Sequence, residues 1–160
     1  MNDSTKKISF LSKLCREHKL QLVQPSEAIK ESYLSKSESN LVSSKILFDN
    51  QRLEESVSLA YYSMYNMLTA LLFQVGIKCE NHNASIILLN TLFGIDNADI
   101  SRAKEERIDT QYYVDFNITS QDAAELIQTA EDFNKNLFDF SSKINNEEIA
   151  AYREKLLSLV

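Results

Sequence analysis

Residues 59–76 read LAYYSMYNMLTALLFQVG, and the uncharged run around them extends from Ser56 to Ile77. Strands seldom reach that length, whereas a helix covers it in about six turns. Gly76 supplies a residue able to take the left-handed conformation that closes a helix. Large side chains occur all round the helical circumference, the pattern of a helix buried on most sides. A membrane span would be more uniformly apolar. Here Ser58, Tyr61, Tyr62, Ser63, Tyr65, Asn66, Thr69 and Gln74 interrupt the run, so a soluble core helix is expected and no membrane partner.

Outward from this helix the composition is that of an ordinary globular chain: 160 residues, 44% hydrophobic and 25% charged. Two glycines and one proline are too few turn formers for a β-rich fold. The expected fold class is all-α, an antiparallel bundle of four or five helices with an extra helix at each end. Residues 1–24 form the basic N-terminal helix unit, residues 25–144 the bundle, and residues 145–160 the C-terminal amphipathic helix.

Ile8, Leu11, Leu14 and Cys15 recur at helical spacing and predict a first helix over 5–20. Pro25-Ser26-Glu27 opens a second helix that runs to Phe48, with a break expected near Ser37 because "SKSESN" is polar all round. After the core helix, "IKCENHN" reads as a loop leading to a helix over 84–93, capped by Asn81 or Asn83. A charged helix follows over 99–112. Thr119 with Asp122 three residues on resembles a capping box for the next helix. Glu147 to Val160 closes the chain as a helix with acids in its first turn.

The net charge of −6 argues against a protein coated for nucleic acid. The charge is uneven: Lys6, Lys7, Lys13, Arg16 and Lys19 outweigh Asp3 and Glu17 in the first helix. Such a helix suits RNA or an acidic partner, and more often is an ordinary solvated face. Cys15 and Cys79 lie far apart with no C-x-x-C, which fits reduced thiols and a cytoplasmic location. No secretory signal is evident.

Most cofactor chemistries lack their residues. His18 and His82 have no companions at metal-ligand spacing, and Cys79 with His82 is one pair only, so no metal and no cofactor are expected. No E-x-x-H pair, Walker loop, dinucleotide fingerprint or G-x-S-x-G elbow occurs. Two constellations remain. One is the set Tyr61, Tyr62 and Tyr65 of the core helix, whose hydroxyls need partners. The other is "EERIDTQYY", residues 105–113, where Arg107 precedes Tyr112 and Tyr113 by five and six positions. The four-spaced neighbours of Arg107 are Ala103 and Gln111, so it has no acid on its own helix to pair with.

These stretches carry a family resemblance. The core run resembles the "A-Y-Y-A-M-F-x-A-x-x-A-L-L-x-x-x-G" helix of HEPN domains (higher eukaryotes and prokaryotes nucleotide-binding). "KCENHNASIILLNTLF", residues 78–93, is similar to their "K-x-H-x-G-x-x-x-x-F" element, with His82 at the histidine and Ala84 in place of the glycine. Residues 107–133, from Arg107 to Phe133, resemble their "R-x-x-x-D-Y" element and the helix after it. The resemblance covers residues 34–144 and implies a helix bundle that dimerises. Many such domains are metal-independent ribonucleases with arginine four to six residues before histidine. Histidine there moves protons near neutral pH, and arginine stabilises charge on the phosphorane.

Here tyrosine or valine stands at 112, 113 and 114 where that histidine is due. A phenol titrating near pH 10 is a poor base at neutral pH. The resemblance therefore implies a nucleotide-, RNA- or partner-binding module of the tyrosine subfamily. It also implies one half of a toxin–antitoxin or defence pair whose partner is an MNT-type nucleotidyltransferase, which modifies a tyrosine in some relatives. The binding residues it implies are Arg107, Tyr112, Tyr113, Tyr62, Tyr65 and His82. The alternative is a ribonuclease toxin with Arg107 as its catalytic residue, and a third reading is an Arg107 paired structurally with an acid.

Overall fold

The computed structural model describes residues 3–160; Met1 and Asn2, at the start of the expected N-terminal unit, lie outside the described residues. Seven helices are described: α1 Asp3–Arg16, α2 Glu27–Asp49, α3 Leu53–Gln74, α4 His82–Thr91, α5 Ala98–Tyr112, α6 Ser120–Ser142 and α7 Asn146–Leu159. Two short strands, β1 Leu20–Leu22 and β2 Ile77–Cys79, pair antiparallel with Leu20 opposite Cys79 and Leu22 opposite Ile77.

Helix α3 is the axis of the bundle, as its all-round apolar pattern predicts. Val57, Ala60, Tyr61, Met64, Leu68 and Leu71 along it are fully buried. Each large aliphatic side chain withdrawn from water in this way contributes about 1.5–3 kcal/mol before entropy is counted. Helices α2, α5 and α6 pack around it. Leu11 and Leu14 of α1 and Leu156 of α7 enter the same core, so the end helices share the bundle's interior.

The caps follow the expected chemistry. Ser26 accepts from the Ile29 amide at the start of α2. Asn81 accepts from the Ala84 amide, so α4 begins at His82, two residues before the expected start. Thr119 with Asp122, and Asn145 with Glu148, form reciprocal capping boxes.

Three expectations are corrected. Helix α1 stops at Arg16, not Leu20. His18 takes φ 56, and the Lys19 amide donates back to the Leu14 carbonyl at 2.9 Å, a left-handed closure made without glycine. This turn frees Leu20–Leu22 to pair with Ile77–Cys79, a segment whose sequence predicts a loop. Finally, α2 runs unbroken through Ser37, because Ser37 and Ser44 face α3 rather than solvent. The Ser37 hydroxyl donates to the Ser63 carbonyl and the Ser63 hydroxyl to the Ser37 carbonyl, each at 2.7 Å. Two turns further along, Ser44 and Ser56 repeat the exchange at 2.7 and 2.9 Å. Small side chains let the two backbones approach, and the hydroxyls satisfy themselves at the contact.

Candidate functional site

Helix α5 turns Ile100, Ala103 and Thr110 into the core at helical spacing, and Arg107 falls in the same stripe. Its guanidinium therefore lies against α3, where the tyrosine run presents ring faces. Arg107 Cζ is 5.0 Å from the Tyr62 ring centroid and 5.6 Å from that of Tyr61. A cation held over an aromatic face gains about 0.5–2 kcal/mol, more as the site dries. Arg107 also donates to Gln111 Oε1 at 3.1 Å, one turn along α5. Among the described residues it forms no ion pair, so the paired-acid reading has no support in the geometry.

An open cleft of about 570 Å³ lies between α3 and α5, lined among others by Glu54, Glu55, Ser58, Tyr62, Arg107 and Gln111. Glu55 is engaged by Arg52, whose hydrogen bond and charge hold its carboxyl below the usual range. Glu54 lines the same end without an ion partner among the described residues. The cleft thus offers a cation and an amide at one end and carboxylates at the other.

Behind Tyr62 the histidine from the start of α4 is brought in. The His82 ring stacks on Tyr65 at 3.8 Å between centroids, and Tyr62 meets it edge-on at 6.3 Å. The Tyr61 hydroxyl stands 2.7 Å from His82 Nδ1. Burial drives the Tyr61 phenol well above its ordinary range, so it remains protonated and donates. His82 Nδ1 must then accept, which leaves Nε2 carrying the proton. Burial first, then the charges of Arg107 and Lys104, lower the His82 pKa, so the neutral ring prevails near pH 7. Held this way, His82 is a hydrogen-bond donor through Nε2 rather than a proton acceptor.

The structure brings Arg107, Tyr62, Tyr65 and His82 into one neighbourhood. Tyr112 and Tyr113 stand apart, 68% and 62% exposed at the end of α5, followed by Val114 at 98%. Gln111 is not among the expected site residues, and Tyr61 is expected there only as a tyrosine whose hydroxyl needs a partner. The available signals were position: Tyr61 lies one turn before Tyr65, and Gln111 one turn after Arg107. His18 lies in the exposed turn after α1.

The family model of the HEPN domain matches residues 30–137. That is well over half of the chain. The protein belongs to the HEPN domain family. A search of the curated proteins finds no match to this HEPN chain. The matched segment runs from α2 into α6 and contains the whole cluster of Tyr61, Tyr62, Tyr65, His82 and Arg107, while α1 and α7 fall outside it. Among the described residues no group of three histidine, cysteine or acidic side chains is placed to hold a metal. No described helix is long and apolar enough to cross a membrane.

Proposed function

We propose that this HEPN protein binds a nucleotide or RNA at the Arg107 cleft and acts through that binding rather than by cleavage. The observation that carries the reading is the Arg107 guanidinium, seated over the Tyr62 ring at the cleft with no ionic partner among the described residues. A phosphate is the ligand that such a guanidinium takes bidentately, and the exposed part of the Tyr62 face suits a base. Gln111 and Glu54 then offer an amide and a carboxylate to base edges. The reading includes a homodimer with the α5 end at the interface, supported by the exposed run Tyr112–Val114. It also includes pairing with an MNT-type nucleotidyltransferase as half of a toxin–antitoxin or defence system. Support for that pairing is family membership and the accessibility of Tyr112 and Tyr113 to a modifying enzyme.

One observation favours a second reading, metal-independent ribonuclease action: His82 reaches the arginine's neighbourhood from outside the arginine motif. Its tautomer opposes the role, because Nδ1 is occupied by the Tyr61 hydroxyl.

Incubation of the protein with mixed RNA in EDTA, beside titration of a labelled trinucleotide, tests both readings. Binding that Arg107→Ala removes, without cleavage, is the expected result. Cleavage lost in Arg107→Ala would establish the ribonuclease instead. Absence of binding and cleavage in a folded, dimeric protein would overturn both.

A further inference from the structure

A second groove, of about 460 Å³, opens where α1 crosses the start of α4 and the first turns of α5. Its floor is apolar, from Phe10, Ile86 and Ile87, and Lys7 and Lys104 flank it with Asn83 and Ser101. Lys104 donates to Asn83 Oδ1, and Lys7 is held by the exposed carboxylate of Asp3. Glu105 also reaches the rim. Surface pairs such as Lys7–Asp3 are worth about 0–1 kcal/mol, so a phosphate readily replaces that partner.

The groove and the Arg107 cleft are both bordered by α5. Ser101 and Lys104 line the groove, and Arg107 and Gln111 line the cleft, at spacings that keep all four on one stripe of α5. The stripe is about 15 Å long at helical rise. His82, stacked on Tyr65 and met edge-on by Tyr62, lies close enough for the charges of both Arg107 and Lys104 to act on it. Cations at both ends of an aromatic platform form the surface that single strands track, with phosphates on the cations and bases on ring faces. The length exceeds what one nucleotide spans.

We propose that single-stranded RNA lies along this face of α5, from the Arg107 cleft past His82 into the groove beneath α1, where Lys7 and Lys104 take a phosphate. The inference rests on the phosphate reading of Arg107 and assigns its ligand as an oligomer. It also gives α1, which lies outside the matched family segment, a part in binding.

The test compares a labelled trinucleotide with an RNA of about 12 nucleotides, in wild type, in Arg107→Ala and in Lys7→Gln/Lys104→Gln, over a salt series. The longer RNA is expected to bind more tightly than the trinucleotide. The double lysine variant is expected to weaken it on the order of tenfold and to flatten its salt slope by about 0.7. Trinucleotide affinity should fall less than that of the longer RNA. A double variant that binds the longer RNA with unchanged affinity and salt slope overturns the inference while leaving Arg107 as a nucleotide site. Binding of the longer RNA that depends on the lysines but not on Arg107 keeps the groove and overturns the Arg107 reading. Failure of either RNA to bind overturns both.

Discussion

The Tyr61 hydroxyl donates to His82 Nδ1 across 2.7 Å, joining the most buried tyrosine of α3 to the first residue of α4. This bond sets the tautomer of the histidine and determines what it presents to a ligand. Tyr61→Phe removes it while keeping the ring stack. A stability loss of about 1 kcal/mol is expected, together with a rise of the His82 pKa toward its ordinary value, read by NMR titration.

The same histidine makes stability pH-dependent. Its pKa is lowered in the fold, so below the ordinary histidine range the unfolded chain binds the proton first. Stability should be full above about pH 6.5 and fall as pH drops toward the depressed folded value. His82→Phe is expected to flatten this limb of the melting-temperature profile. A slope unchanged in the variant would show that another group is responsible.

Glu106 predicts the opposite trend. Its Oε2 is buried without a hydrogen bond, and burial, with Asp122, Glu125 and Asp109 around it against Arg102, raises its pKa. A raised carboxyl favours the fold at low pH and loses that contribution as pH rises through the folded value. Glu106→Gln removes the buried charge and supplies a donor to the neighbouring acids. At pH 7 it should stabilise by about 1 kcal/mol or less, since solvent screens a partly exposed site.

The serine contacts between α2 and α3 should resist both shrinkage and growth. Ser63 donates to the Ser37 carbonyl and accepts from Asn134 Nδ2 at 2.8 Å, tying α6 to the pair. Ser63→Ala strands that amide and is expected to cost about 1–3 kcal/mol by chemical denaturation. Ser44→Leu should cost a similar amount by forcing the helices apart.

Arg153 ties helix α7 to the chain around β1 and β2. Arg153 donates to the carbonyls of Val23 and Gly76 at 2.7 and 2.9 Å, and Gly76 sits at φ 74 beneath it. A methyl group on Gly76 would lie 2.1 Å from the Arg153 guanidinium and 2.5 Å from the Val23 carbonyl. Arg153→Ala should therefore lower the melting temperature, and Gly76→Ala should lower it further.

Much of this architecture is legible in residue patterns. The core helix follows from a charge-free run too long for a strand, the capping boxes from side chains three residues apart, and Gly76 from its place after the last apolar turn. Two helix ends were closed without that signal. His18 and Gln51 adopt φ 56 and 58, positions usually read from glycine or asparagine, and the ladder between Leu20–Leu22 and Ile77–Cys79 depends on the first of these turns. The polar middle of α2 suggested a break because its partner serines lie on another helix, more than ten residues away.

The sequence by itself determined the fold class, because helical periodicity and caps are local properties of neighbouring residues. It also marked Arg107 and the tyrosine run as residues needing partners. Which groups meet was decided only by tertiary packing. Tyr61 and His82 are 21 residues apart along the chain and Arg107 and Tyr62 are 45 apart, and each pair becomes a contact only when α4 and α5 dock on α3. Hydrogen bonds and cation–ring contacts act over a few ångströms, so the chemistry of this site exists only in the folded bundle.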